Sequence, residues 1–212
     1  MFIFHKHGIR CGGISISKTL KEFFKEKYLR IETNTPVDRY FDNDIKVISS
    51  HTAPLMDKHQ IGDDYLLQFY FYRHPIDRLY SWYNYERLVD LPFDHLKLAK
   101  SVSFKQYILT KLDLKTLENN YSSRIISGIS PENLIIYDLE EIDLALNHLE
   151  ISIKHGFPAF KSVKYWENQT NRENMNLFQR LHYIKMKLGD NLYNHLLELN
   201  SKDLEIITHI SL

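Results

Sequence analysis

The chain has 212 residues, 43% of them hydrophobic and 25% charged, enough to bury a core as one large domain or a domain with a helical appendage. Lys+Arg and Asp+Glu are equal at 27 each, so the formal net charge is zero and no global basic field exists to capture nucleic acid or an anionic membrane. A single cysteine, Cys11, excludes an internal disulfide framework and a multi-cysteine zinc site, and it fits a reducing compartment.

Any anion site must therefore be local, and the first expected elements supply a candidate. Phe2 to Phe4 begin an apolar extended run that opens into Gly8-Ile-Arg-Cys-Gly-Gly13, and a helix follows from Ile14. Strand, glycine-rich loop and helix together aim backbone N–H groups and a helix N-terminus at a phosphate. Gly8, Gly13 and Ser15 match the frame of a P-loop, but Ile14 stands where its lysine belongs, which argues against ATP hydrolysis. The sequence fixes no base beside Cys11, so that residue is read as filling a tight turn and not as a nucleophile.

Lys18 to Tyr28 continues in helical period, with Leu20, Phe23 and Phe24 opposite Lys21, Lys25 and Lys27, and Thr33 to Pro36 breaks it. Asp44 to Ser50 reads as a buried strand that ends at His51-Thr-Ala-Pro54. Tyr65 to Arg73, rich in aromatics, is the strongest strand signal. It delivers into His74-Pro75, with Pro75 in the first turn of a helix that runs to about Val89. Residues 103–127 read as two helices split near Asp113, and Leu134 to Tyr137 as a short buried strand. Asp138 to His155 is an amphipathic helix, and from Arg172 onward the pattern is helical with breaks near Gly189-Asp190 and Asn200-Ser201. Residues 33–43 and 90–102 read as loops.

This order of elements predicts a single α/β domain over residues 1–212, with a mainly parallel central sheet flanked by helices and a helical C-terminal part. Ligands of such sheets bind beyond the carboxyl ends of the strands. Three segments fall at that edge: Gly8 to Ser15, Ser49 to Pro54, and Arg73 to Ser81. In the last of these, Arg73 and the Ser81 hydroxyl could both reach a phosphate, the arginine by a forked contact. Taken alone, the same residues also fit a solvated helix start.

Together Gly8 to Ser15 and Arg73 to Ser81 resemble the PAPS-dependent sulfotransferases, most closely the Golgi-type carbohydrate branch with the heparan sulfate O-sulfotransferases and their bacterial relatives. That family carries a loop of the form PKTGGTSL, matched here by Ile9-Arg-Cys-Gly-Gly-Ile-Ser-Ile16, and a segment LRDPVERxxS, matched by Tyr72 to Ser81. Asn120 to Gly128 is similar to a third, weaker motif, NxQTRxLxG. The resemblance implies the P-loop-like sulfotransferase fold, transfer of a sulfuryl group from PAPS to a carbohydrate hydroxyl with release of PAP, and no metal requirement. By the same token Arg10 replaces the loop lysine that neutralises the bridging oxygen of the leaving PAP. Cys11, Gly12, Gly13, Ile14 and Ser15 wrap the 5′-phosphosulfate, while Arg73 and Ser81 hold the 3′-phosphate. Arg172 either touches a phosphate or belongs to a capped helix start.

His51 is the expected base. It follows the second expected strand where the family carries a GH pair, and an imidazole titrates near neutral pH. His7 borders the site. His5 and His7 lie on one side of the strand but lack a third ligand at recognisable spacing, so no metal pair is expected. The departures Arg10, Cys11 and Ile14 alter the cation and remove two hydroxyl donors. They keep a catalytically inactive PAP- or PAPS-binding homologue in play, beside a P-loop kinase-like nucleotide-binding protein. A strand beginning at residue 2 and the lack of a membrane-length apolar run predict a soluble, cytoplasmic, bacterial-type enzyme acting on a saccharide or glycan. Acceptor identity and oligomeric state leave no mark in the sequence.

Overall fold

Runs of β-branched and aromatic residues form five parallel strands: β1 Phe2–Lys6, β2 Tyr28–Ile31, β3 Val47–Ser50, β4 Leu66–Tyr72 and β5 Ile135–Asp138. They make one sheet in the order β2-β3-β1-β4-β5. Every residue of β1, β3 and β4 is buried, as expected of strands covered on both faces. The helices in chain order are α1 Gly13–Phe24, α2 Pro75–Leu88, α3 Asp94–Ser101, α4 Phe104–Asp113 and α5 Tyr121–Ile126, followed by α6 Ile142–Lys154, α7 Leu177–Leu188, α8 Asp190–Leu199 and α9 Ser201–Glu205. This is a computed structural model, and it describes residues 1–32, 40, 44–56, 65–89, 94–127, 134–165 and 175–210.

These residues divide into two compact units: Met1–Tyr72 with Arg124–Glu167 and Ile207–Leu212, and Arg73–Ser123 with Asn168–Ile206. The first holds the sheet. Period-2 alternation sends Ile3, Leu67, Phe69 and Phe71 to the face covered by Leu20 of α1 and Leu149 of α6, while Phe2, Phe4 and Ile48 pack on the other face with Met56. The second unit is helical, its core built from Ile76, Tyr80, Tyr83, Phe104, Tyr107 and Ile184 among others.

The expected α/β class with a central parallel sheet is what the structure shows. Two local expectations are corrected. The helix expected to reach Tyr28 ends at Phe24, and Tyr28 instead begins β2, because the chain exits α1 through a 3-10 turn at Lys25–Lys27 and then pairs with β3. Residues 94–101, expected as loop, form the helix α3. Among the described residues, no helix is long and apolar enough to cross a membrane.

In the second unit, α5 starts on a cap supplied from a distance. The Asp203 carboxylate, fully buried, accepts from the N–H groups of Ser122 at 3.1 Å and Ser123 at 2.8 Å. Asn120 N–H donates to Asn200 Oδ1, and Asn120 Oδ1 accepts from Lys202 N–H. Asp203→Ala would strand one buried and one half-buried donor and is expected to cost ~2–3 kcal/mol in chemical denaturation. A loss below ~0.5 kcal/mol would contradict this capping role.

Candidate functional site

The chain turns from β1 into α1 through residues 7–12, and the backbone there is constrained. Gly12, the N-cap of α1, has φ 74°, and Arg10 has φ 65°, a left-handed value uncommon outside glycine. Gly13 is held close to the His7 ring: a Cβ there would lie 2.7 Å from Nδ1 and 2.9 Å from Cγ. Among the described residues no side chain caps α1, and no acidic residue occupies its first turn. Its leading amides, which have no intrahelical acceptor, are thus left for solvent or a ligand. Ile14 is exposed, while Gly12, Arg10 and Ser15 are half-buried. Cys11 is fully buried, its Sγ 3.9 Å from the Tyr70 hydroxyl and its N–H donating to Gly8 O at 3.2 Å. Its side chain fills the turn and does not face outward.

His51 is placed by three sets of bonds. Ser50 Oγ accepts from Thr52 and Ala53 N–H, which bends the chain as β3 ends. The Lys6 ammonium donates to His51 O at 2.9 Å and Ala53 O at 2.6 Å. His51 Nδ1–H donates to His7 O at 2.8 Å. A carbonyl can only accept, so Nδ1 carries the proton and Nε2 keeps its lone pair. Burial lowers the His51 pKa, against the raising effects of Glu32 and the His7 carbonyl, so the imidazole is neutral at physiological pH. Burial also lowers Lys6, to about 8.

Beneath this edge lies a buried polar chain. Ser49 Oγ bonds His5 Nδ1 at 2.9 Å and Ser17 Oγ at 2.8 Å. His5 stacks on Phe69, and burial pushes its pKa down to about 3. His7, 1% exposed, lies with its ring centroid 3.6 Å from that of His51, and burial holds it neutral too. Among the described residues neither ring nitrogen of His7 has a hydrogen-bond partner. The third ligand that spacing did not supply comes from the end of β2: atoms of His7, His51 and Glu32 lie within 4.8 Å of one another.

The second unit opens at Arg73, the residue after β4. Arg73 Nε and Nη2 bond Asp77 Oδ2 at 2.8 and 2.7 Å, while Arg180 of α7 bonds Asp77 Oδ1 at 3.2 Å. Asp77 is 1% exposed; its two arginines lower its pKa against the opposing effect of burial. Ser81, two turns into α2, is buried. Arg78 is buried as well, donating to Glu118 O at 2.9 Å and lying 4.4 Å from the centre of the Tyr121 ring. Arg180 was missed by sequence reasoning, because only tertiary structure brings it to a partner 103 positions away. Arg172 lies outside the described residues.

The sequence matches no family model. An uncharacterized protein of the archaeon Archaeoglobus fulgidus is 26% identical to the chain over 236 aligned residues, covering 96% of this chain and 93% of that protein.

Two outcomes follow. Gly13→Ala gains about 1 kcal/mol of helix propensity but drives a methyl into a buried ring. A net loss of ~1–3 kcal/mol in urea is expected, and a net gain would contradict the close contact. His74 caps α2 by accepting from Ile76 N–H at Nδ1, which requires the neutral ring. Burial, opposed by Asp77 and aided by Arg180, pushes its pKa down to about 4, below the 6.5 of an unperturbed histidine. The unfolded chain therefore binds this proton first. The contribution is intact above pH ~6.5 and is lost as pH falls toward ~4, by up to roughly 3 kcal/mol. His74→Asn keeps an acceptor that does not titrate. Its stability should fall less steeply in acid, and an unchanged slope would contradict the cap.

Proposed function

We propose that the chain is a PAPS-dependent sulfotransferase that moves a sulfuryl group to a hydroxyl of a saccharide. The observation that carries the proposal is what directly follows β1 and β4 along the chain. A glycine loop with an uncapped helix N-terminus follows β1, and along the chain Arg73, bonded to Asp77, directly follows β4. The first suits the 5′-phosphosulfate and the second a further phosphate. The 3′-phosphate is the group that sets PAPS apart from ATP-like nucleotides. His74 stands where the similar motif has aspartate, and its Nδ1 accepts the helix N–H that a carboxylate would, which supports the match at an apparent mismatch.

In the proposed reaction, His51 Nε2 takes the acceptor's proton as its oxygen attacks sulfur in line. The bond between sulfur and the bridging oxygen breaks, its electron pair stays on the 5′-phosphate of PAP, and Arg10 offsets the charge that develops there. Positioning and electrostatics supply most of the rate, as in phosphoryl transfer. The His7 carbonyl fixes the His51 tautomer, and the depressed pKa keeps Nε2 unprotonated at neutral pH.

Transfer of labelled sulfate from PAPS across a glycan panel, with stoichiometric release of PAP, tests the proposal. His51→Ala is expected to lower kcat by ~10²–10⁴-fold with PAP affinity nearly unchanged; equal loss of both would remove His51 as base. Arg73→Ala should weaken PAP far more than adenosine 5′-phosphosulfate, and similar losses would remove the 3′-phosphate role. Exposed Ile14 and buried Cys11, in place of two threonines, favour a second outcome in which PAP binds and no sulfate moves.

A further inference from the structure

At the ends of β1, β2 and β3 the parallel sheet assembles a residue set that sulfuryl transfer does not use as a unit. His7 follows β1, Glu32 follows β2 and His51 follows β3, and one ligating atom from each lies within 4.8 Å of the others. We propose that His7, Glu32 and Nε2 of His51 bind one divalent first-row transition metal ion, zinc in the first instance.

Three features carry this. Two imidazoles and one carboxylate are borderline donors of the kind such ions take, with open positions left for water. His7 is 1% exposed and both its ring nitrogens lack a partner among the described residues; a bound cation would satisfy the one that keeps its lone pair. The outer contacts are already those of a ligand set. His51 donates Nδ1–H to the His7 carbonyl, which turns Nε2 outward as a ligand, and Arg30 Nε donates to Glu32 Oε1, which orients the carboxylate. Nitrogen and oxygen donors around tetrahedral zinc lie roughly 3.3 Å apart for bonds of ~2.0 Å. The observed spacing is wider than this, so a bound ion would draw the three side chains together.

A metal ion and an acceptor proton cannot share Nε2 of His51. The loaded protein would therefore be switched off for sulfuryl transfer, a consequence that rests on the proposed function, whereas binding does not. The test is titration of chelator-treated protein with Co²⁺, followed by its visible ligand-field bands, with Zn²⁺ as competitor. One equivalent of cobalt should develop the bands and zinc should bleach them, since zinc binds such sites more tightly than cobalt. The bands should vanish in His51→Ala and weaken in Glu32→Gln, both at accessible positions, with circular dichroism confirming the fold. His7→Ala should also lose them if it folds. No saturable bands, or bands that survive His51→Ala, would overturn the site. Failure to move sulfate would leave this titration unaffected. Zinc that binds without slowing transfer would overturn the switch alone.

Discussion

The pairing of β1 with β3 is the constraint on which the first unit depends. Its register sets His5 opposite Ser49 and Lys6 opposite Ser50, and one further step out brings His7 beside His51. Because side chains alternate along a strand, a slip of one residue would exchange every inward and outward group. It would break the His5–Ser49–Ser17 chain and take the Lys6 ammonium from the two carbonyls that hold the His51 loop. The chemistry at the edge is thus a product of backbone pairing. Glycine at position 13 and the left-handed conformations at Arg10 and Gly12 then let α1 start against His7.

In the second unit the governing interaction is the burial of Asp77 between two arginines. Leaving that carboxylate alone in the interior would be strongly unfavourable, and Arg73 and Arg180 each offset part of its desolvation. The arrangement ties the first turn of α2 to α7. Arg78 stabilises in a different way. Its guanidinium lies over Tyr121 and bonds a carbonyl, so it fixes structure near α5 and is not presented to a ligand.

Much of the architecture was legible in the sequence because its signals were local and strong. The unbroken aromatic run of β4, Pro75 at a helix start and the glycine break between α7 and α8 each name an element without tertiary help. β2 was not legible: Tyr28 to Ile31 is four residues long, and its apolar positions also continue the helical pattern before it. Only pairing with β3 decides between the two. The glycine loop, His51 and Arg73 could be picked out from motif and position. Lys6, Glu32 and Arg180 could not, since each matters through a partner distant in sequence. Cys11 shows the limit from the other side, a loop position whose side chain turned out to fill the core.

The proposed function requires that this chain hold a nucleotide by its 3′-phosphate and not through a triphosphate with magnesium. Calorimetry of the purified chain with PAP, and separately with ATP and Mg²⁺, tests that directly. The account predicts clear, saturable PAP binding at least tenfold tighter than that of ATP–Mg²⁺, roughly 1.4 kcal/mol or more. ATP–Mg²⁺ binding as tight as PAP, or tighter, would contradict it.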